Sequence, residues 1–381
     1  MAKNKLRIYL KELFTRVVKP IRAEQLYTND VDNLYPNRVE AIESNSPTAQ
    51  AAANELRSMI IGRGFEDEEL NKKIVNPHTG LTAYELLQEI ADSIKTHRAA
   101  YIYVNYNAEG EVTVLDVLKY RKIRIGKEDT KGNYGRIYER DWDEVSGRFK
   151  GFNKDDNARY YYPFNRNLKV INAQRKADSP DTTDPKDLIR NYRGQVFMIT
   201  LDKTEVYPFA FLHSAMNQAD SEYRIGVYDN SNLRRGFLDK TIIALSGVDD
   251  TSMQEFTDNV ADWMGAENSE SVMVIDRPKD LALDEKFIET ISLKGTYDSK
   301  RFSEARDNAE SAIRKAYLNI PKVLIDPSEG SLGTSGKAFE EAQRLYSDKT
   351  MFIRDRITSE LSKLQDLDWT IKPLVDEDIT E

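Results

Sequence analysis

Apolar side chains recur at steps of three and four along two stretches near the end of the chain. Phe302, Ala305, Ala309, Ala312, Ile313, Ala316 and Tyr317 put one apolar face on residues 300–318, and Asp298 and Ser299 stand where a helix cap belongs. Pro321 is expected to end that helix, because proline lacks the N–H and disfavours helical geometry at Ile320 before it. Lys322–Ile325 is a short apolar run, and Asp326 to Gly336 is loop chemistry throughout. From Lys337 the helical period resumes with Phe339, Ala342, Leu345, Tyr346, Ile353, Ile357, Leu361 and Leu364, predicting a helix over 337–366. At 1.5 Å per residue it would be about 45 Å long and need neighbours along its whole face.

Earlier in the chain the pattern changes. Ser46-Pro47 is a sound helix start and Gly62 a plausible stop. Thr82-Ala-Tyr-Glu85 is a capping box opening a helix through His97, with Leu87, Ile90 and Ile94 on its apolar face. Alternation then predicts strands at Ala100–Asn105, Glu111–Val117, Lys122–Ile125, Tyr134–Trp142, Arg159–Phe164, Leu168–Ile171 and Gln195–Leu201, with Gln174–Asp187 a polar loop containing Pro180 and Pro185. Residues 208–235 fit a long helix that Gly226 and Asn230 weaken. Strands at Thr241–Leu245, Ser271–Ile275 and Phe287–Leu293 surround a second capping box, Ser252 to Glu255, whose helix carries Phe256, Val260 and Trp263 and closes at Gly265. The fold class is α+β.

The segment ARDNAESAIRKAYLNIPKVLIDPSEGSLGTSGKAFEEAQRLYSDKTMFIRDRITSEL resembles the C-terminal part of tailed-bacteriophage portal proteins: a helix ending in an apolar-Pro pair, a loop, and a long helix resuming with acidic and aromatic residues. SPTAQAAANELRSMIIGRGF is similar to an early segment of that family, which also begins Ser-Pro-Thr and ends in glycines. The resemblance covers about residues 206–366 well and 40–205 weakly. It implies a basic N-terminal arm (1–39), an α+β wing body (40–205), a first stem helix (206–235), a small α/β clip (236–297), a second stem helix (298–320), a tunnel loop (321–336), a long wing helix (337–366) and a short acidic tail (367–381). Any crown domain would be minimal or absent.

Composition narrows the chemistry. The 381 residues are 40% hydrophobic and 31% charged, which describes a folded chain, and the absence of cysteine excludes disulfides and thiolate metal sites. His78, His97 and His213 are far apart in sequence and read as ordinary helix or loop residues. The longest run without a charged residue, Val206–Ala219, is too short and too polar to span a bilayer. The net charge of −9 argues against a tight, general nucleic-acid binder, though not against a protein past which DNA slides. Residues 3–22 hold seven Lys or Arg against the single Glu12, and Leu6, Leu10, Leu13, Phe14 and Val17 line a helical face. They read as an arm packed on the body with a solvated basic face; lying on a membrane or binding an acidic partner are the other readings of such a segment.

Gly333-Thr-Ser-Gly336-Lys337 invites comparison with a phosphate-binding loop, but Ser331 stands where its first glycine belongs and Ala338 replaces the hydroxyl residue. It is read as a flexible connector. No acidic pair or Ser/His/Asp set has catalytic spacing, so neither cofactor nor metal is expected. Residues 236–297 carry thirteen acids and five bases, and Glu255, Asp258 and Asp262 lie off the Phe256-Val260-Trp263 face.

By resemblance the chain forms a homo-oligomeric ring, usually of twelve, at one capsid vertex. Its partners would be the major capsid protein, a terminase packaging motor, adaptor and tail proteins, and double-stranded DNA passing non-specifically, with no membrane. It would reside in the virion, and in the host cytoplasm during assembly. Ile320 and Pro321 would form the helix break; Asp326, Ser328, Glu329, Gly330, Gly333, Thr334, Ser335 and Gly336 the channel loop; Glu255, Asp258 and Asp262 the acidic face of the clip. Both long helices carry more apolar positions than one domain is expected to cover, so neighbouring subunits would complete the burial. The alternatives are a nucleotide- or metal-dependent NTPase or nuclease on an α+β scaffold, or another head–tail junction protein.

Overall fold

The computed structural model describes residues 20–21, 26–130, 134–142, 159–203, 206–234, 240–245, 288–293, 299–326 and 336–375. The fold is α+β. Strands β1 (Pro20–Ile21) and β2 (Leu26–Tyr27) pair antiparallel. Helix α1 (Tyr35–Asn45) has no counterpart among the sequence expectations, and its buried line of Tyr35, Val39 and Glu43 sets a carboxylate into an apolar face. Helix α2 (Pro47–Ile61) starts as predicted, with Pro47 in its first turn and the Ala49 N–H donating to Ser46 Oγ at 3.2 Å. Gly62 ends it at φ +57°, where a Cβ would sit 2.1 Å from the Lys372 carbonyl oxygen.

Helix α3 (Glu68–Lys72) and the hairpin β3 (Ile74–Asn76) and β4 (Leu81–Thr82) lead into α4 (Ala83–His97). The capping box forms: the Glu85 N–H donates to Thr82 Oγ1 at 3.3 Å and the Thr82 N–H to Glu85 Oε2 at 2.8 Å. Leu86, Leu87, Ile90, Ala91 and Ile94 are all fully buried, and α4 packs on α2.

A six-stranded sheet follows, built from β5 (Ala99–Tyr106), β6 (Val112–Leu118), β7 (Ile123–Ile125), β8 (Ile137–Glu139) and β9 (Arg159–Pro163), then, after helices α5 (Leu168–Asp178) and α6 (Pro185–Arg190), β10 (Gln195–Thr200). The strand order is β6-β5-β10-β9-β8-β7. The last strand in sequence thus sits inside, antiparallel to β5 from Ala99↔Thr200 to Val104↔Gln195 and parallel to β9. The sheet is complete only when this distant strand arrives between its neighbours.

Three expectations fail here for local reasons. Leu168–Ile171 is the first turn of α5 and not a strand: the Lys169 N–H donates to Asn167 Oδ1 at 2.9 Å, and that cap outweighs four residues of alternation. Gln174–Asp187 is largely helical. Its first residues complete α5, and Pro185 opens α6 behind an Asp184 cap whose Oδ1 accepts from the Lys186 N–H at 3.0 Å. Tyr134–Trp142 contributes only the three residues of β8.

The chain forms two compact units, one of residues up to Met216 with those from Ile313 onward, the other of Asn217–Ala312. Helix α7 (Met216–Arg234) begins later than the predicted 208, after a 3-10 turn over Phe211–Ala215, and runs through Gly226 unbroken. Strands β11 (Lys240–Leu245) and β12 (Ile288–Leu293) pair antiparallel, and α8 (Ser299–Ala316) follows. Within the second unit Arg306 pairs with Asp229, and the Tyr228 and Phe302 rings lie 5.3 Å apart, so α7 meets α8. The predicted helix at 252–265 and strand at 271–275 fall outside the described residues.

Back in the first unit, α9 (Lys322–Ile325) and α10 (Gly336–Leu361) pack on α2. Tyr346, Ile353, Ile357 and Leu361 are fully buried, so the chain itself covers more of this helix than expected; Leu345, Met351 and Phe352 stay exposed. Beyond α10 the described residues, up to 375, run back over the end of α2. Trp369 is fully buried, meets Phe65 edge-on at 5.3 Å, and donates from Nε1 to the Gln365 carbonyl. Backbone hydrogen bonds join Arg63 N–H to Lys372 O (2.9 Å), Glu66 N–H to Thr370 O (2.9 Å) and Lys372 N–H to Gly64 O (2.8 Å). This strap closes the end of α2, and the 2.1 Å approach at Gly62 shows how near it runs. Trp369→Ala is expected to cost about 3–5 kcal/mol of stability, measured by chemical denaturation. A loss below about 1 kcal/mol would show that the strap contributes little.

Candidate functional site: the helix break and the two ends of the connection

Helix α8 stops at Ala316, five residues before the proline. Leu318 (φ +59°) and Asn319 (φ +54°) turn the chain through left-handed geometry, uncommon outside glycine and worse for leucine than for asparagine. The Ile320 N–H reaches the Arg314 carbonyl at 3.1 Å, and Arg314 Nε donates back to the Ile320 carbonyl at 3.0 Å. Ile320 is fully buried, which helps hold the strained turn in place. The expectation that Pro321 ends the helix is therefore corrected. Leu318 and Asn319 end it, and Pro321 (φ −60°, ψ 136°) caps α9.

What seats this turn is one carboxylate. Glu43 Oε2 accepts from the Tyr317 hydroxyl at 2.8 Å, while Oε1 accepts from Lys95 Nζ at 2.9 Å and Thr96 Oγ1 at 3.0 Å. Glu43 and Tyr317 are both buried, and each oxygen of the carboxyl group has a hydrogen-bond donor. Burial, and after it the neighbouring Glu43 charge, hold the Tyr317 hydroxyl well above its ordinary pKa, keeping it a donor. The Tyr346 hydroxyl of α10 donates to the Tyr317 carbonyl at 3.0 Å. Farther along α10, buried Arg354 donates to Met59 O at 3.0 Å and Ser347 O at 3.2 Å, satisfying a carbonyl in the last turn of α2. Both helices flanking the connection are thus fixed to one frame.

Of the residues proposed for the channel loop, Asp326 is half-buried and closes α9, its N–H on the Lys322 carbonyl at 2.8 Å. Gly336 opens α10, exposed, with open space where a Cβ would stand. Ser328, Glu329, Gly330, Gly333, Thr334 and Ser335 lie outside the described residues, as do Glu255, Asp258 and Asp262. Sequence reasoning missed Glu43, Lys95 and Tyr346 as partners of the break. The available signal was a glutamate in register with Tyr35 and Val39 at steps of four, a charge on an apolar helical line.

A second polar cluster lines a cleft of about 470 Å³ with Glu40, Asp92, Lys95, His97, Tyr120 and Arg121. His97 is a helix residue, as expected, the last of α4. It is buried, stacked on Tyr120 at 4.2 Å, and its Nε2 lies 3.0 Å from Glu40 Oε1, whose partner oxygen meets Arg121 Nη1 at 3.4 Å. The arrangement ties α1 to the end of α4 and to the link between β6 and β7. Among the described residues no group of three His, Asp or Glu could hold a metal ion, and no helix is long and apolar enough to cross a membrane.

No protein-family model matches the chain, and no curated protein does. In fold it resembles several solved structures. One belongs to the virion of a native gene transfer agent particle (13% identity, 89% of this chain and 84% of that one, TM-score 0.46). Another is from the neck of the native particle computed with C12 symmetry (15% identity, 91% and 85%, TM-score 0.45). A third is an HK97-family phage portal protein from Corynebacterium diphtheriae (11% identity, 84% and 89%, TM-score 0.46).

Burial raises the pKa of Glu40, but the hydrogen bond and charge of His97, with Arg121, outweigh it and leave the carboxyl below its ordinary value. A lowered carboxylate stabilises the fold above its ordinary pKa, and that stabilisation is lost as pH falls through the lowered value. Glu40→Gln is therefore expected to reduce stability near about pH 7, and to cost less at an acid pH at which the carboxyl is protonated in the folded chain as well. Denaturation midpoints at the two pH values check this; an equal loss at both would make the role steric.

Proposed function

We propose that the chain is a subunit of a tailed-phage portal ring, a homo-oligomer at one capsid vertex through which double-stranded DNA passes during packaging and ejection. It carries no catalytic centre of its own in this reading. The observation that supports it most is the construction over residues 313–346. A helix is stopped by Leu318-Asn319, locked by Ile320 and Tyr317, and followed across a glycine-bearing connection by a helix anchored at Tyr346. Both ends of the connection are fixed, while its own composition asks for no core: Leu332 is the one large apolar residue between Pro327 and Ser335. A loop bordering a channel needs that combination of firm ends and deformable middle. It also lacks a basic residue that would grip phosphate.

In this account the chain leaves the helix at Leu318-Asn319, Ile320 and Pro321 carry it on to α9, and Asp326, Ser328, Glu329, Gly330, Gly333, Thr334, Ser335 and Gly336 form the channel loop. The acidic stretch 236–297, with Glu255, Asp258 and Asp262, meets the packaging motor; capsid, adaptor and tail proteins bind elsewhere on the ring. Helix α7 supports assembly, since Tyr223 and Val227, one turn apart, are exposed and a neighbouring copy would cover them.

Purified full-length protein, examined by electron microscopy and sedimentation, is expected to form closed rings with a central hole. A stable, well-folded monomer at micromolar concentration would overturn the proposal. Deleting Ser331–Ser335 should change folding stability little, because loop closure depends weakly on length, yet impair DNA packaging or retention. Normal packaging by the deletion ring would remove the loop from the mechanism.

A further inference from the structure

Between Leu345 and Ser359 the outward face of α10 consists of Leu345, Asp348, Met351, Phe352, Asp355 and Ser359. Leu345 is 53% exposed, Met351 45% and Phe352 47%, so three large apolar side chains stand in water on one helix. Leu345 and Phe352 are two turns apart, with Asp348 and Asp355 on the same face. Of the bases within this stretch, Arg354 is buried and Lys349 and Arg356 are half-buried, Arg356 turned to Glu360 and the Thr200 carbonyl; exposed Arg344 stands at its N-terminal edge, one turn before Asp348. Apolar side chains framed by acids that form no ion pair among the described residues make a surface that selects a basic amphipathic helix.

The same chain contains such a segment. Residues 3–22 hold Lys3, Lys5, Arg7, Lys11, Arg16, Lys19 and Arg22, with Leu6, Leu10, Leu13, Phe14 and Val17 at helical spacing. As a helix, Leu6 to Val17 would extend about 16 Å, close to the about 15 Å from Leu345 to Asp355. Arg7 and Lys11 would flank one edge of its apolar line, Lys5 and Arg16 the other. Apolar length and charge sign both match.

We infer that the basic N-terminal segment that precedes β1, residues 3–19, docks on the exposed face of α10 with its leucines and Phe14 against Leu345, Met351 and Phe352 and its bases toward Asp348 and Asp355. This goes beyond the portal reading and stands whether or not the chain forms rings. The contact joins the two ends of the sequence, within one chain or between copies.

The absence of cysteine makes the test clean. Full-length Val17→Cys/Met351→Cys protein is treated with a short bis-maleimide, beside Val17→Cys/Glu109→Cys, whose second thiol is exposed elsewhere on the first unit. The first pair is expected to cross-link about tenfold faster than the control, the factor given by 1.4 kcal/mol of preference. An intrachain product and a dimer support the docking equally. Adding Lys11→Glu and Arg16→Glu should slow the reaction, and further Asp348→Lys and Asp355→Lys should restore it. Rates equal to the control, or a charge reversal without effect at low salt, would overturn the inference; the altered residues on α10 are exposed, and circular dichroism confirms that each variant is folded.

Discussion

A buried carboxylate is tolerable only if its surroundings supply donors, and Glu43 meets that condition with three: Tyr317, Lys95 and Thr96. Those donors come from α4 and from the turn just after α8, far apart in sequence, and Tyr317 passes the connection to α10 through its own carbonyl. Removing any one element would strand a charge or a hydroxyl away from water. The left-handed turn at Leu318-Asn319, unfavourable in itself, persists because Tyr317 and Ile320 on either side of it are held. The segments on either side of the connection thus meet at one carboxyl group.

Much of this was legible in the sequence where a local rule was strong. The Ser46-Pro47 start, the Thr82–Glu85 capping box and the apolar period of residues 300–318 each rest on spacing within a few residues, and each forms a helix. Strands with long alternation, such as β5 and β10, were also readable. What escaped depends on distant partners or on short signals in conflict. Helix α1 was missed because its apolar line contains Glu43, whose burial makes sense only beside Lys95 and Tyr317. Asn167 and Asp184 capped helices where four alternating residues or a proline pointed elsewhere. Pro321 looked like the terminator since proline is the strongest breaker in view, yet the backbone turns two residues sooner. At the candidate site the sequence located the break but not its anchor, and the burial of Trp369 against Phe65 joins residues some three hundred positions apart that no local pattern links.

The proposed function draws on the same mechanics. In the proposed reading a ring subunit that borders moving DNA must keep its loop ends in place under load, and the frame around Tyr317 and Tyr346 would hold those ends. Arg354 extends the frame along α10 to the end of α2, and the 367–375 strap closes that end. In the proposed reading the exposed apolar residues of α7 serve a neighbouring copy and those of α10 the N-terminal segment. The fold itself does not need them covered.

The central claim is that Glu43 and Tyr317 act on each other, so that the break is seated by this bond and not merely by packing. A double-mutant cycle of Glu43→Ala and Tyr317→Phe, read as unfolding free energies, tests it directly. The structure predicts a coupling of about 1.5–3 kcal/mol, as for a buried hydrogen bond to a charged group. Additivity within about 0.5 kcal/mol would contradict the account.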